Sequence, residues 1–218
     1  MATVSTWTGV ALAMQSALGA AKTITAIANG ATATVTATHD FVVGDYVVFD
    51  VLGMHQINGR VYRVLSVSTT VSFVIEDVNG TSVDTTNFGT FTSGTCNTVT
   101  FGTTITTATT MSASGGDFDF IDTTTIHDNT KSQVPGTANA LVYTFDNLWD
   151  PADAAQAAMK TASDNKAKRA FKITFASGRI SVFNGYVGFV GAATGSAQDK
   201  VVSPASITAF GNPNYYAS

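Results

Sequence analysis

Four Asn-Gly pairs punctuate this chain, at Asn29-Gly30, Asn58-Gly59, Asn79-Gly80 and Asn184-Gly185. Asn-Gly accepts the positive φ angles of tight hairpin turns, so each pair is expected to reverse the chain between two strands. Between them valine and threonine dominate, and β-branched residues suit a pleated, half-buried surface. The chain is therefore expected to be mainly β. Asn79-Gly80-Thr81 also matches a glycosylation acceptor, but no positively charged leader accompanies it.

Residues 23–95 read as one compact β unit. Its candidate strands are 31–38, 45–51, 59–67 and 71–77. In the third, Val61, Arg63, Leu65 and Val67 alternate with Arg60, Tyr62, Val64 and Ser66, so neither face is cleanly polar. Both faces are expected to be partly covered, as in a small barrel. Strands this short need closure or a partner sheet.

Beyond that unit, residues 84–116 are rich in Thr, Ser and Gly. Val99, Phe101 and Ile105 among the threonines predict a return strand and a further strand, with Ser112–Gly116 as a loop. Residues 117–147 predict two strands, separated by a long polar loop over 122–136 whose end is marked by Pro135-Gly136. Leu141, Tyr143 and Phe145 share one face of the second. One helix is predicted, from Asp150 as N-cap with Pro151 at its first position. Its shallow stripe of Ala155, Ala158, Met159 and Ala162 suits a helix lying on a sheet. Three more strands follow, and 212–218 reads as a short arm with two tyrosines.

Charge narrows the function. Only 12% of the 218 residues are charged, and the net charge is −4. A surface built from Thr, Ser, Asn and Gly offers little repulsion against self-association. Eleven scattered basic residues do not supply the clustered cations that grip phosphates. Lys166, Lys168 and Arg169 form the densest group, and a solvated helix end accounts for them. The single Cys96 excludes an internal disulfide. No apolar run reaches membrane-spanning length, and the chain is read as cytosolic in origin.

Catalytic patterns are missing. There is no phosphate-binding glycine loop, no zinc-binding histidine or cysteine pair, and no nucleophile elbow. His39, His55 and His127 each read as ordinary turn or strand residues. The remaining candidate is residues 117–131, where Asp117, Asp119 and Asp122 precede His127, Asp128 and Lys131. Calcium needs six to eight oxygens gathered by a tight turn. Asp117 and Asp119 alternate with Phe118 and Phe120 on an extended strand and do not make such a loop. Two acids flanking a cleft, as hydrolysis requires, are not indicated either. No cofactor, metal or catalytic residue is assigned.

The segment from Gly116 to Met159 resembles the tail tube, or major tail, proteins of long-tailed, lambda-like siphophages. The residues that carry the likeness are the D-x-T-T-I run at 122–126, V-P-G at 134–136, and D-P-A-D-A-A-Q-A-A-M at 150–159. Phe183–Val187 and the last strand, with its S-I-T at 206–208, extend it, so that it covers about 104–212 and weakly 5–22. Residues 23–95 resemble the small FCCH-type β-barrel named after ubiquitin-activating enzymes, through VGDYVVF at 43–49 and GMHQINGRVYRV at 53–64.

The resemblance implies a tail-tube β-sandwich or half-barrel with one flanking helix, made of 1–22 and 96–218, and an inserted barrel at 23–95. It implies a structural virion protein, made in the bacterial host cytoplasm, that forms stacked hexameric rings. Its implied partners are further copies of itself, a tape measure protein, and tail terminator and tail tip proteins. DNA would pass through the lumen without specific binding. Asp122, His127, Asp128, Lys131 and Gln133 are the expected ring-stacking residues, and Asp117 and Asp119 the expected lumen lining. A tail-associated host- or carbohydrate-binding protein is the alternative. A hydrolase using Asp119 or Asp122 is a third reading.

Overall fold

The computed structural model describes residues 7–78 and 80–217, so the first six residues, Asn79 of the third Asn-Gly pair and Ser218 lie outside the description. In chain order the elements are β1 (Ala11–Met14), β2 (Ala17–Leu18), β3 (Lys22–Ile27), β4 (Thr34–Ala37), β5 (Tyr46–Leu52), β6 (Val61–Ser68), β7 (Ser72–Ile75) and β8 (Ser93–Thr100). Next come β9 (Thr103–Ile105), β10 (Ala108–Ser114), β11 (Phe118–Asp122), β12 (Gln133–Ala138), β13 (Val142–Leu148), α1 (Ala154–Asp164), β14 (Lys168–Thr174), β15 (Ile180–Phe189), β16 (Val202–Ala209) and β17 (Asn214–Tyr216). The protein is mainly β with one helix, as its valine- and threonine-rich runs predict.

Strands β3 to β8 close on themselves. Their order is β8-β3-β4-β7-β6-β5, and β5 pairs back onto β8. Closure removes both sheet edges from strands too short to stand alone. The period-2 alternation of β5 sends Val47, Phe49 and Val51 inward. They meet Phe73, Ile75, Met54 and Ile57 in a core that also takes Cys96. In β6 both faces are partly covered, as expected, over Val61–Leu65, while Ser66, Val67 and Ser68 are exposed. Tyr62 and Val64 point into the barrel, while Val61 belongs to a separate cluster with Ala170, Val182 and Tyr216.

The second sheet has the order β10-β13-β16-β15-β14-β1-β9, with β17 paired to β15 beside the end of β16. One face packs around α1. Met159 and Ala162 of the helix join Phe171, Phe183, Phe145 and Ile207. On its other face the β14–β15 end is covered by the barrel.

Several local expectations are corrected. Pro135-Gly136 is no turn: it lies inside β12, with Phe120 opposite Pro135. Proline tolerates this place because the ribbon is an edge and the register shifts there between Phe118 and Phe120. Residues 117–147 hence hold three strands. Asn184-Gly185 is no turn either. It sits within β15, and a Cβ on Gly185 would lie 2.6 Å from the Thr208 carbonyl oxygen, so close strand approach demands glycine. The helix is capped by Asp153, whose carboxylate accepts the Gln156 amide at 2.8 Å. Asp150 takes the Ala152 amide at 2.9 Å in the turn before it, so Pro151 precedes the helix. Of the basic group only Lys166 follows the helix, since Lys168 and Arg169 start β14. The expected C-terminal arm is strand β17, in which Asn214 and Tyr216 are buried.

Candidate assembly surfaces

The longest projecting feature grows from the sheet edge. At Gly115 and Gly116, with φ of 86° and 85°, the strand leaves the sheet and continues as β11. The chain returns through β12 and β13. Whereas β10 pairs β13 inside the large sheet, β11 pairs β12 in a separate two-stranded sheet. The joint is bridged by Gly116 N–H to the Asn139 carbonyl at 3.1 Å and Asn139 N–H to the Asp117 carbonyl at 2.8 Å. Every residue of β11 is exposed, and so are Phe118, Phe120, Ile121 and Val134 as large apolar side chains. At a rise of ~3.3 Å per residue, the ribbon beyond Gly116 reaches roughly 20–25 Å.

Its tip is held by its own polar groups. Asp122 and Gln133 face each other at the neck. Thr123 donates its amide to the Ser132 carbonyl at 2.9 Å, and Ser132 donates its own to the Thr124 hydroxyl at 3.0 Å. Asp122 Oδ1 accepts the Thr124 amide at 2.8 Å. The Thr124 hydroxyl and amide hold the Asp122 carboxyl below its ordinary range. Asp128 Oδ2 accepts the Thr125 amide at 2.8 Å and hydroxyl at 3.0 Å, and the same two groups hold it low. Threonine at this density thus supplies turn-closing donors. Ile126 stands out from the tip at 96% exposure.

The expected contact residues are therefore divided. Asp122 and Gln133 end the two strands, and His127, Asp128 and Lys131 lie in the turn beyond them. Asp117 is at the root of the ribbon. Asp119 Oδ1 accepts Asn139 Nδ2 at 3.2 Å. Among the described residues no group of three or more His, Cys, Asp or Glu is placed to hold a metal ion.

Two further surfaces escaped the sequence reading. Among the described residues the sheet ends are β9 and β10, each with a strand on one side only. Beside them runs a groove of about 590 Å³ lined by Trp7, Val10, Leu12, Ile105 and Met111. The second surface is internal, between barrel and sheet. Arg60 Nη2 donates to Asn214 Oδ1, and Asn214 Nδ2 to the Val61 carbonyl at 2.6 Å. Asn184 Nδ2 donates to the Gly59 carbonyl at 3.1 Å. In sequence Asn184 reads as a turn former and Asn214 as part of a terminal arm, and only their pairing to the barrel gives them another use.

A comparison with curated proteins finds no match. A family model described as phage tail tube protein, TTP, matches residues 52–218. The match starts in β5 and so runs over the later barrel strands, the whole ribbon, the helix and the rest of the large sheet. The chain belongs to the phage tail tube protein family, and is accordingly a structural, non-enzymatic virion component that assembles with itself into the tube of a phage tail.

Proposed function

We propose that six copies of this chain close into a ring through the free edges of β9 and β10, and that rings stack into a conduit for DNA ejection. Unpaired edges invite further strands, and a closed barrel has none. Stacking is a different, heterologous contact, which repeats without closing and so makes a filament. The β11–β12 ribbon makes that contact, with Asp122, His127, Asp128, Lys131 and Gln133 against the next ring. Asp117 and Asp119, at its root, face the lumen. A tape measure protein fills the bore before DNA does, and terminator and tip proteins cap the two ends. Residues 23–95 form an ornament on this tube.

The carrying observation is the ribbon itself. Two isolated strands with exposed Phe118, Phe120, Ile121 and Val134 are marginal in water. A neighbouring copy removes that apolar surface from solvent. The test replaces residues 123–132 by an Asn-Gly turn. The expected product is a folded monomer that forms no tubes under conditions where the unaltered chain does. Tubes of normal length from the shortened chain would refute the stacking assignment.

A further inference from the structure

Exposed apolar residues collect at the end of β13 that lies away from the ribbon. The chain comes out of the ribbon at Asn139, enters the sheet at Val142 and leaves it at Leu148. Beside that far end, the segment between β15 and β16 folds back. Trp149 N–H donates to the Val201 carbonyl at 3.1 Å, and its indole Nε1 donates to the Gly191 carbonyl at 3.2 Å. Leu148 lies opposite Val202 in the register. These bonds bring Leu148, Trp149, Val190 and Val201 together, and all four are exposed, Val190 at 77%. The loop between Val190 and Val201 is closed by paired backbone bonds of 2.8 Å between Thr194 and Val202. The patch is thus built before any partner arrives, and contiguous apolar patches of this kind mark contact sites.

We propose, resting on the ribbon-mediated stacking read above, that this patch is the seat for the ribbon tip of a second copy in the neighbouring ring, with Ile126 against Trp149 and Val190. Position is the main support. The ribbon grows from one end of β13 and the patch lies at the other, so one chain bears an apolar projection and an apolar landing at opposite ends of the same strand. Unlike surfaces joined head to tail repeat without closing, as a filament of rings requires. Patch against patch would instead be a two-fold contact that ends at a pair.

Charge agrees with this occupant. Lys131 of the tip forms no ion pair among the described residues, and neither do Asp150 and Asp199 on the two segments that carry the patch. The contact brings a cation to two exposed acids, which fixes the register of the tip on its seat more than it adds affinity.

Cys96, the chain's one cysteine, is fully buried, so introduced thiols report alone. Ile126→Cys and Val190→Cys are made singly and together, and tubes are assembled, oxidised and run on a denaturing gel without reductant. The double variant is expected to give a ladder of cross-linked chains that runs past the hexamer, and each single variant to stay monomeric. A second pair, Lys131→Cys with Asp199→Cys, is joined by a short bismaleimide and repeats the test with the apolar contact intact. Tubes that form yet give no ladder from either pair would overturn the seat. Ribbon stacking itself would survive that result, since the chain shortened at 123–132 decides it. A ladder that stops at the hexamer would place the contact within one ring, and dimers from Ile126→Cys alone would put tip against tip; each overturns the proposal. If the unaltered chain makes no tubes, the stacking reading fails first and the seat with it.

Discussion

Arg63 meets Tyr216 twice: its backbone amide donates to the phenol oxygen at 2.9 Å, and its guanidinium lies 4.7 Å from the centre of the same ring. The guanidinium also donates to both carboxylate oxygens of buried Glu76. Barrel strand β6 is thereby fixed to β17, the last strand of the sheet. The barrel is held as part of the body of the protein rather than hung on a tether.

This joint makes a graded prediction. Tyr216→Phe keeps the ring under the guanidinium and loses one hydrogen bond, costing about 1 kcal/mol. Tyr216→Ala also removes a buried ring from the seam, and should cost about 3 kcal/mol or more. Urea titration of the monomer measures both. Equal costs for the two variants would show that packing at the seam contributes nothing.

Alkaline pH should loosen the fold. Burial raises the Cys96 thiol from 9.0 to about 12, and raises the Tyr143 and Tyr216 phenols above their ordinary 10.0. These groups are neutral when protonated, so the unfolded chain loses their protons first and the folded chain later. Above pH 9.0 the unfolded state therefore binds fewer protons, and stability falls as pH rises. Their contribution is fully present below 9.0 and is lost progressively toward about 12. Urea midpoints across that window should be flat, then decline. Cys96→Ala should move the onset up toward 10.0, the ordinary phenol value.

The helix start separates two neighbouring aspartates. Asp153→Ala removes the acceptor for the Gln156 amide and should cost about 1 kcal/mol. Asp150→Ala alters only the preceding turn and should cost less. Thermal melts of both variants decide it, and the reverse order would restore Asp150 as the cap.

These cases mark what the sequence could carry. Alternation revealed one face of β13 directly, because Leu141, Tyr143 and Phe145 all pack on the strand's dry side. The alanine stripe likewise revealed the helix face. Cap position was ambiguous because Asp150 and Asp153 both precede a helical run. Asn184-Gly185 and Pro135-Gly136 misled for a different reason: a glycine required by a close neighbouring strand and one required by a turn look identical in one dimension. Asn214 and Tyr216 read as tail because their partners, Arg60, Val61 and Arg63, lie about 150 positions away.

Ile126 offers the sharpest separation of folding from assembly. It is the most exposed large apolar residue of the described chain, at 96%, and it lies between Thr125 and Asp128, whose mutual hydrogen bonds close the tip without it. A side chain that contacts so little in the monomer adds almost nothing to its stability. Ile126→Asp should therefore shift monomer stability by no more than about 0.5 kcal/mol. If the tip meets the next ring, the same change buries a charge against a neighbour, which costs far more than the exposed isoleucine gained. Tube formation should then need a markedly higher protein concentration, measured by sedimentation and negative-stain microscopy. Normal tube formation by this variant would mean that the tip remains in water throughout assembly.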